Sequence, residues 1–313
     1  MGAFIDRLEV NSPGPVEALL LVACIGAAAS LWRAVGWGLS AIMVVCIVIS
    51  YAQTGNAMIA IGVSLVALGV HLLRRRRTDL RVDHGYALGQ FAVVALGYVA
   101  YILSRLHSEG TFEAATTNAD RIVKFETKLG LFFERDLQQL IIDSDVLVQV
   151  FSTIYSFMFL AFVLSVLIWL LVVDRGNYRI MRNALGVSVV LAAVTIALFP
   201  VAPPRLMPEL DIVSTVELLG RQHAFTNEYA AVPSLHVGWM VLAGFVLARS
   251  IGGRTGSMVG VLPGTVMMVT VIVSGNHYWI DGVIGTAYTM IPALWFAYGG
   301  RLRAGEPSVE SYA

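Results

Sequence analysis

Residues Pro233–Asp281 read PSLHVGWMVLAGFVLARSIGGRTGSMVGVLPGTVMMVTVIVSGNHYWID. Two long apolar runs are joined by a short link that lies between Arg249 and Arg254, and polar residues stand at both outer ends. Each run is close to the roughly 20 residues that a helix needs to cross a bilayer. We therefore expect two antiparallel membrane spans that return His236 and His277, 41 residues apart, to the same face at the same depth.

The rest of the chain has the same character. Of its 313 residues, 57% are hydrophobic and 13% are charged, and the mean hydropathy is +0.75, whereas roughly a quarter of the residues of a soluble protein are charged. The apolar runs are continuous rather than alternating, which argues against a β-barrel. Zero net charge gives no reason to expect a nucleic-acid partner, and Cys24 and Cys46, both inside apolar runs, predict neither a disulfide nor a metal site.

The fold class that follows is an all-α polytopic membrane protein. The sequence predicts spans at residues 16–32, 35–52, 57–73, 86–104, 147–173, 184–202, 232–249, 257–275 and 280–298. We divide the chain into an accessory N-terminal transmembrane bundle of about three helices (1–82), a six-span catalytic core (83–303) and a cytoplasmic tail (304–313). A cleaved signal peptide is the alternative for the first span, because small residues lie at Ala27–Ser30.

Basic residues predict the orientation. Cytoplasmic loops of membrane proteins carry an excess of Lys and Arg, and a cytoplasmic C-terminus places more than half of the 21 basic residues inside. These are Arg33, Arg74, Arg75, Arg76, Arg77, Arg81, Arg175, Arg179, Arg182, Arg249, Arg254, Arg301 and Arg303. We therefore expect a plasma-membrane or inner-membrane protein whose two histidines face the extracytoplasmic side.

The longest hydrophilic segment of the core, residues 107–145, falls outside the membrane in this topology. Its apolar residues recur at near-helical spacing, with charges on the other face. They are Ile122, Phe125, Leu129, Leu131, Phe132, Leu137 and Leu140. The segment predicts an amphipathic helix lying on the membrane surface, and a soluble cap over the loops is the alternative.

Three polar clusters fall at this outer face, where ionisable residues near membrane depth need a reason. Phe199–Leu206 (FPVAPPRL) brings Arg205 there, with a planar fork of donors suited to phosphate oxygens. Tyr229–Met240 (YAAVPSLHVGWM) is expected to place Pro233, Ser234 and His236 in the first turn of a helix, where free N–H groups and the helix dipole favour an anion.

The third cluster is Ser274–Gly285 (SGNHYWIDGVIG). His277 and Asp281 are four residues apart and share a helix face, so the carboxylate can accept the proton of one imidazole nitrogen and leave the other as a nucleophile or base. Each cluster alone is also typical of a structural role. Their convergence on one face predicts a site for an anionic group.

The motif PSLH, followed about 40 residues later by HYWID, resembles the type-2 phosphatidic acid phosphatase superfamily. More narrowly it resembles the branch of the fungal inositol phosphorylceramide synthases and, more distantly, the sphingomyelin synthases. The resemblance covers residues 110–300 and not the first 80. It implies a membrane lipid phosphotransferase that moves a phosphoalcohol headgroup, such as phosphoinositol, from a phospholipid to a second alcohol. The alternative is a lipid phosphatase, in which water accepts the phosphate of a lipid phosphate.

The resemblance also implies roles for residues. His277 would attack phosphorus and form a phosphohistidine, Asp281 would orient it, His236 would act as general acid and then base, and Arg205 would hold the phosphate oxygens. No metal and no cofactor is required by this scheme. Further candidate substrate-binding residues are Ser234, Asn276, Tyr229 and Lys124.

The sequence departs from the phosphatase members of the superfamily at three positions. Leu235 replaces a glycine of their second motif, Val271 replaces an arginine and Leu198 replaces a lysine. Candidates to supply the missing positive charge are Lys124, Lys128, Arg121 and Arg221. Candidates to line a headgroup pocket with Tyr229 are His223 and Asn227.

Other functional classes predict different patterns. A transporter or flippase needs polar groups or broken helices near the midplane, whereas the polar groups here lie at one end of the spans. A metalloenzyme would use His236, His277 and Asp281 as a facial triad. A rhomboid-type serine protease is disfavoured, because its candidate motif, Gly186–Val189, lies near the other end of its span.

Overall fold

The computed structural model describes residues 110–218 and 227–304, together with a few positions between Tyr86 and Gly97. In these ranges the chain is helical, and its β-structure is limited to one isolated bridge. The helices are α1 Phe112–Lys128, α2 Glu134–Ile142, α3 Asp145–Thr153, α4 Phe159–Val173, α5 Arg175–Leu198, α6 Thr215–Leu218, α7 Leu235–Ile251, α8 Gly253–Val273 and α9 Trp279–Ala304. The predicted unit 1–82 with its three spans, and most of the span 86–104, lie outside the described residues.

The long apolar helices match the predicted core spans. Helices α5, α8 and α9 are each long and apolar enough to cross a membrane, and α7 is an apolar helix of 17 residues. Helices α3 and α4 are joined by a π-helical turn, Ile154–Met158, and bend by 46° as a candidate broken span. The prediction of a helical membrane core is therefore confirmed.

One predicted boundary is displaced. The span predicted at 184–202 is the helix Arg175–Leu198, which begins nine residues earlier and ends before the prolines. Asp174 caps it by accepting a hydrogen bond from the backbone N–H of Asn177 at 3.1 Å. The sequence pattern missed the first turns because they are polar, whereas the backbone continues as a helix through them.

Helix α7 lies at the centre of the bundle and contacts α4, α5, α8 and α9. Two glycines allow the contact between α7 and α9. A Cβ atom at Gly285 would lie 2.0 Å from the Ser234 carbonyl oxygen, and one at Gly238 would lie 2.3 Å from the Gly285 oxygen. The Thr289 hydroxyl donates to the Gly238 carbonyl at 3.0 Å. Small residues permit close backbone approach in membrane bundles, and here that approach joins the starts of α7 and α9.

The segment predicted as one amphipathic helix at 107–145 forms two helices, α1 and α2, separated at Gly130, whose φ of +68° suits glycine. Most of the charged residues of this segment are exposed, but two carboxylates are not. Glu126 and Glu134 are fully buried, whereas Phe125 and Leu140 are 49% and 75% exposed. The carboxylates of Glu126 and Glu134 face the bundle, where they accept hydrogen bonds from backbone N–H groups of α9. Phe125 and Leu140 face away from the bundle.

Helices α1 and α2 lie over the end of the bundle where α5 ends and α7 and α9 begin. The Asn118 side chain donates to the Pro200 carbonyl at 2.9 Å, which joins α1 to the exit from α5. From α2, the Gln138 amide donates to the carbonyls of Val213 and Val273, both at 2.9 Å. These contacts place both outer helices directly against the loops that carry the polar clusters.

Candidate active site

The three polar clusters meet at one end of the bundle, as the sequence predicted. Val201 donates its backbone N–H to the Tyr229 carbonyl at 2.7 Å, which pairs the first cluster with the second. The Ser234 N–H donates to the Asp281 carbonyl at 3.0 Å, which joins the second cluster to the third. The Arg205 N–H donates to the Gly275 carbonyl, also at 3.0 Å, which joins the first cluster to the third.

His277 lies in the turn that precedes α9 and is 5% exposed. Its Nδ1 lies 2.8 Å from the Ala231 carbonyl oxygen and 3.3 Å from Asp281 Oδ2. A carbonyl oxygen only accepts hydrogen bonds, so Nδ1 carries the proton. The neutral ring then has its lone pair on Nε2, which is the nitrogen available for nucleophilic chemistry.

His236 lies in the first turn of α7 and packs among aromatic rings. Its ring stacks on Tyr155 at 4.5 Å between centroids and lies 4.4 Å from the ring of Phe159. Tyr155 belongs to the π-helical turn, an irregularity frequent at functional sites. The ring centroids of His236 and His277 are 5.9 Å apart, so the two imidazoles share one pocket.

Arg205 is a buried cation beside this pocket. Its side chain is 5% exposed. Its Nε donates to Asn276 Oδ1 at 3.1 Å and lies 3.9 Å from a carboxylate oxygen of Glu217. Asn276 is itself fixed, because its amide nitrogen donates to the Ser274 hydroxyl at 3.0 Å. Nη1 of Arg205 is buried and has no hydrogen-bond partner among the described residues. An acceptor oxygen of a ligand would satisfy this charged donor.

Ser234 occupies the N-cap position of α7, immediately before the first turn in which it was predicted, and Pro233 precedes it rather than lying in that turn. A serine at this position ordinarily caps the helix with its side chain. Here the side chain makes no capping hydrogen bond, and its buried Oγ has no partner among the described residues. The hydroxyl is therefore a second unsatisfied donor in the cluster that holds His277.

Carboxylates accept the first backbone N–H groups of α9. Asp281 Oδ2 accepts from the Tyr278 N–H at 2.9 Å, the reach-back contact of a capping box. Glu134 Oε1 accepts from Trp279 at 3.0 Å and Glu126 Oε1 accepts from Ile280 at 3.3 Å. The sequence reasoning missed both glutamates, because their helical spacing with other charges indicated an exposed face.

The remaining predicted binding residues lie farther out. Tyr229 packs its ring 6.2 Å from that of Phe112, and its backbone N–H donates to Asn227 Oδ1 at 2.8 Å. Lys124 is 74% exposed and pairs with Asp120 on α1, so its described contacts do not bring it to the histidines. Arg221 and His223 lie outside the described residues.

The described residues line one cavity near the site and another far from it. One cavity, of about 300 Å³, lies between α1, α5 and α9, and its wall includes Val232 and Ile280, which are adjacent in sequence to Ala231 and Asp281. Its lining consists of Arg121, Ile122, Phe125, Thr195, Phe199, Val232, Ile280, Ile284 and Tyr288. A larger cavity, about 410 Å³, lies at the other end of the bundle around Asp174, Arg179 and Arg249 and contains neither histidine.

The metal triad considered from the sequence finds no support in the geometry. Within residues 110–218 and 227–304, no three His, Cys, Asp or Glu side chains converge closely enough to hold a metal ion. Nδ1 of His277 is turned to the Ala231 carbonyl and to Asp281.

Comparison with known proteins agrees with this arrangement. A family model described as the PAP2 superfamily matches residues 120–295, more than half of the chain. No curated protein and no solved structure matches the chain. The matched range contains both histidines, Asp281, Arg205 and the two buried glutamates. The chain therefore belongs to the PAP2 superfamily, whose members are membrane phosphatases and phosphotransferases of the type-2 phosphatidic acid phosphatase kind.

Proposed function

We propose that this protein is a membrane lipid phosphotransferase that moves a phosphoalcohol headgroup, such as phosphoinositol, from a phospholipid to a second alcohol through a phosphohistidine at His277. The observation that carries the proposal is a pair of buried, unsatisfied donors, Arg205 Nη1 and Ser234 Oγ, in the cluster that holds the two imidazoles. Unsatisfied buried donors are costly, and a phosphate group supplies the acceptors that they lack.

In the first half of the reaction, Nε2 of His277 attacks phosphorus, and the bond from phosphorus to the lipid alcohol breaks. His236, as an imidazolium, gives its proton to the departing alcohol oxygen. Arg205 neutralises the charge on the non-bridging phosphate oxygens, and Arg205 and Ser234 donate hydrogen bonds to them. Asp281 faces the protonated Nδ1 and stabilises the positive charge that the phosphorylated ring gains.

In the second half, neutral His236 takes the proton from the acceptor hydroxyl as the hydroxyl oxygen attacks phosphorus. The bond from phosphorus to Nε2 breaks, and His277 returns to its starting form. One imidazole thus acts as acid and then base, which suits a group that titrates near neutral pH. Every charge in this scheme is held by side chains, so we expect turnover to continue in excess EDTA.

The cavity of about 300 Å³ supports an amphiphilic substrate. Its wall is mostly apolar, and Arg121 adds a positive charge. Val232 and Ile280 in this wall are the immediate neighbours of Ala231, which binds His277, and of Asp281. An alkyl chain in this cavity would bring a linked phosphate to the histidines.

A lipid phosphatase is the second candidate, because the same covalent intermediate serves water as the acceptor. Membership of the superfamily supports a phosphatase or a phosphotransferase equally. The transferase is preferred on resemblance. The motifs PSLH and HYWID are similar to those of the synthase branch, and Val271 and Leu198 stand where the phosphatase members carry cations.

Trapping the intermediate tests the proposal. Purified protein is incubated with a phospholipid labelled in its phosphate, quenched with alkali and mapped for the modified residue. We expect label on His277 in the wild type and none in His277→Ala. His236→Ala should still take up label from a substrate with a good leaving group.

Product analysis then separates the two candidates. Transfer of the labelled headgroup to an added alcohol supports the transferase, whereas release of free phosphate or a water-soluble phosphoalcohol alone supports the phosphatase. Absence of phosphohistidine during turnover would contradict both.

A further inference from the structure

The glutamates that bind the start of α9 form a close pair. Glu126 on α1 and Glu134 on α2 are both fully buried, and each interacts with the other. Two adjacent buried carboxyls cannot both stay ionised. The pair therefore carries one proton at neutral pH, and the hydrogen-bond pattern shows which residue holds it.

Glu134 is the ionised partner. Its Oε1 accepts from the Trp279 N–H and its Oε2 accepts from the Phe133 N–H, both at 3.0 Å, so both oxygens act as acceptors. Glu126 has one oxygen on the Ile280 N–H, whereas its buried Oε2 has no donor among the described residues. Burial and the charge of Glu134 raise the pKa of Glu126 to about 9, so its carboxyl is protonated at neutral pH.

We propose that Glu126 and Glu134 are positioning residues, a carboxylic acid–carboxylate pair that holds the N-terminus of α9 and so fixes His277 and Asp281 for phosphoryl transfer. The catalytic consequence rests on the proposed function, whereas the hydrogen bonds to α9 are a property of the fold.

The glutamate pair binds the segment between the two residues that it is proposed to position. Trp279 follows His277 by two residues, and Ile280 immediately precedes Asp281, so the two bound N–H groups lie between His277 and Asp281. The pair adds one negative charge at the positive end of the helix dipole. Because both glutamates come from the outer helices, the start of α9 is bound to α1 and α2 as well as to its neighbours in the bundle.

The two residues should respond differently to replacement by glutamine. Glutamine has the shape and the donor of a protonated glutamic acid, so in Glu126→Gln the oxygen still accepts from Ile280 and the amide adds no second negative charge beside Glu134. In Glu134→Gln the amide NH₂ must face either Trp279 N–H or Phe133 N–H, which places donor against donor. Matched controls are Glu113→Gln on α1 and Asp136→Asn on α2, both exposed carboxylates.

The experiment measures transfer of the labelled headgroup of a phospholipid to an added alcohol at pH 7, and hydrogen–deuterium exchange of the peptide spanning residues 277–284, with full-length protein in detergent. We expect Glu126→Gln to keep kcat within about threefold of wild type. Glu134→Gln should lose at least about tenfold in kcat with little change in KM, and exchange at residues 279 and 280 should accelerate at least about tenfold. Both controls should match the wild type.

Equal behaviour of Glu134→Gln and Asp136→Asn in exchange and in kcat would overturn the proposal, and so would loss of activity in Glu126→Gln. If Glu134→Gln does not fold, Glu126→Ala must show the accelerated exchange and the lower kcat that Glu126→Gln lacks. If the wild type neither transfers nor hydrolyses the phospholipid headgroup and Glu134→Gln still accelerates exchange, the proposed function fails and the binding of α9 by the pair stands.

Discussion

Arg205 shows what a single residue contributes to this site. Its Nε is used by Asn276, and its Nη1 has no partner among the described residues. A lysine keeps the charge but has no planar fork, so it cannot bind Asn276 and a phosphate oxygen together in this geometry.

We expect Arg205→Lys to lower kcat/KM about 100-fold while leaving the thermal midpoint within a few degrees of wild type. Arg135→Lys is the matched control, because Arg135 is an exposed arginine paired with Asp211 at 2.7 Å. Steady-state kinetics on both variants, with circular dichroism melting, checks this. Wild-type kinetics in Arg205→Lys would remove Arg205 from phosphate binding.

At this scale the sequence predicted the residues whose chemistry is distinctive and whose spacing is fixed by the spans. His236, His277, Asp281 and Arg205 could be assigned to one face because helices of bilayer length return the chain to that face. Glu126 could not be assigned, because a buried carboxyl has the same spacing as an exposed one and only the tertiary contact with Ile280 distinguishes them. Ser234 Oγ was predicted to lie in the cluster, but its lack of a capping bond depends on the local backbone.

At the scale of elements, the crossing of α7 and α9 determines the geometry of the dyad. Gly285 is in contact with the Ser234 carbonyl, and a Cβ atom there would lie 2.0 Å from that oxygen. Because the obstacle is backbone, α7 and α9 would have to separate, and Ser234 and Asp281 would move with them.

We therefore expect Gly285→Ala to lower activity at least about tenfold and to destabilise the protein by about 1–3 kcal/mol. Gly186→Ala is the control, since a Cβ at Gly186 in α5 meets nothing within 4 Å. The control should be neutral or should stabilise by up to about 1 kcal/mol, because alanine favours a helix. Thermal melting and turnover are measured for both variants. Equal effects of the two substitutions would show that the loss at Gly285 does not come from the close crossing of α7 and α9.

The pairing of α1 with α2 predicts a pH dependence of stability. Glu126 has a pKa of about 9 in the folded protein against 4.5 ordinarily, and the titratable groups that face it are Glu134, Asp281 and Tyr278. Between those values the folded state holds a proton that the unfolded chain has released, so this residue's contribution to stability falls as pH rises from about 4.5 to about 9.

The loss is at most about 1.4 kcal/mol for each pH unit in that window. In Glu126→Gln the residue no longer titrates, so the fall in melting temperature between pH 6 and pH 9 should be smaller than in the wild type. Parallel melting curves of the two proteins across that range would contradict a proton on Glu126.

The elements themselves were predictable to different degrees. Apolar run length gave the spans that contain α7, α8 and α9, because crossing a bilayer requires a long apolar helix. The break at Gly130 and the burial of Glu126 and Glu134 were not predictable from periodicity. Periodicity shows which residues share a helix face, but it does not show which of them contact the bundle.

The whole molecule has two chemically distinct ends. One end holds the imidazoles, Arg205 and the outer helices, and the other holds the Asp174–Arg249 region and the link between α7 and α8. We propose that the first end is extracytoplasmic and the second cytoplasmic, because the basic residues concentrate at the second.

Cysteine labelling tests this orientation in intact cells. In a background where Cys24 and Cys46 are serine, Asp136→Cys reports on the histidine end and Arg254→Cys on the opposite end, since both positions are exposed. A membrane-impermeant maleimide should label Asp136→Cys in intact cells and label Arg254→Cys only after permeabilisation. The reverse pattern would place the histidines in the cytoplasm, where soluble phosphorylated metabolites would compete with lipids for the pocket. The proposed transfer between membrane lipids would then need a cytoplasmic donor and acceptor.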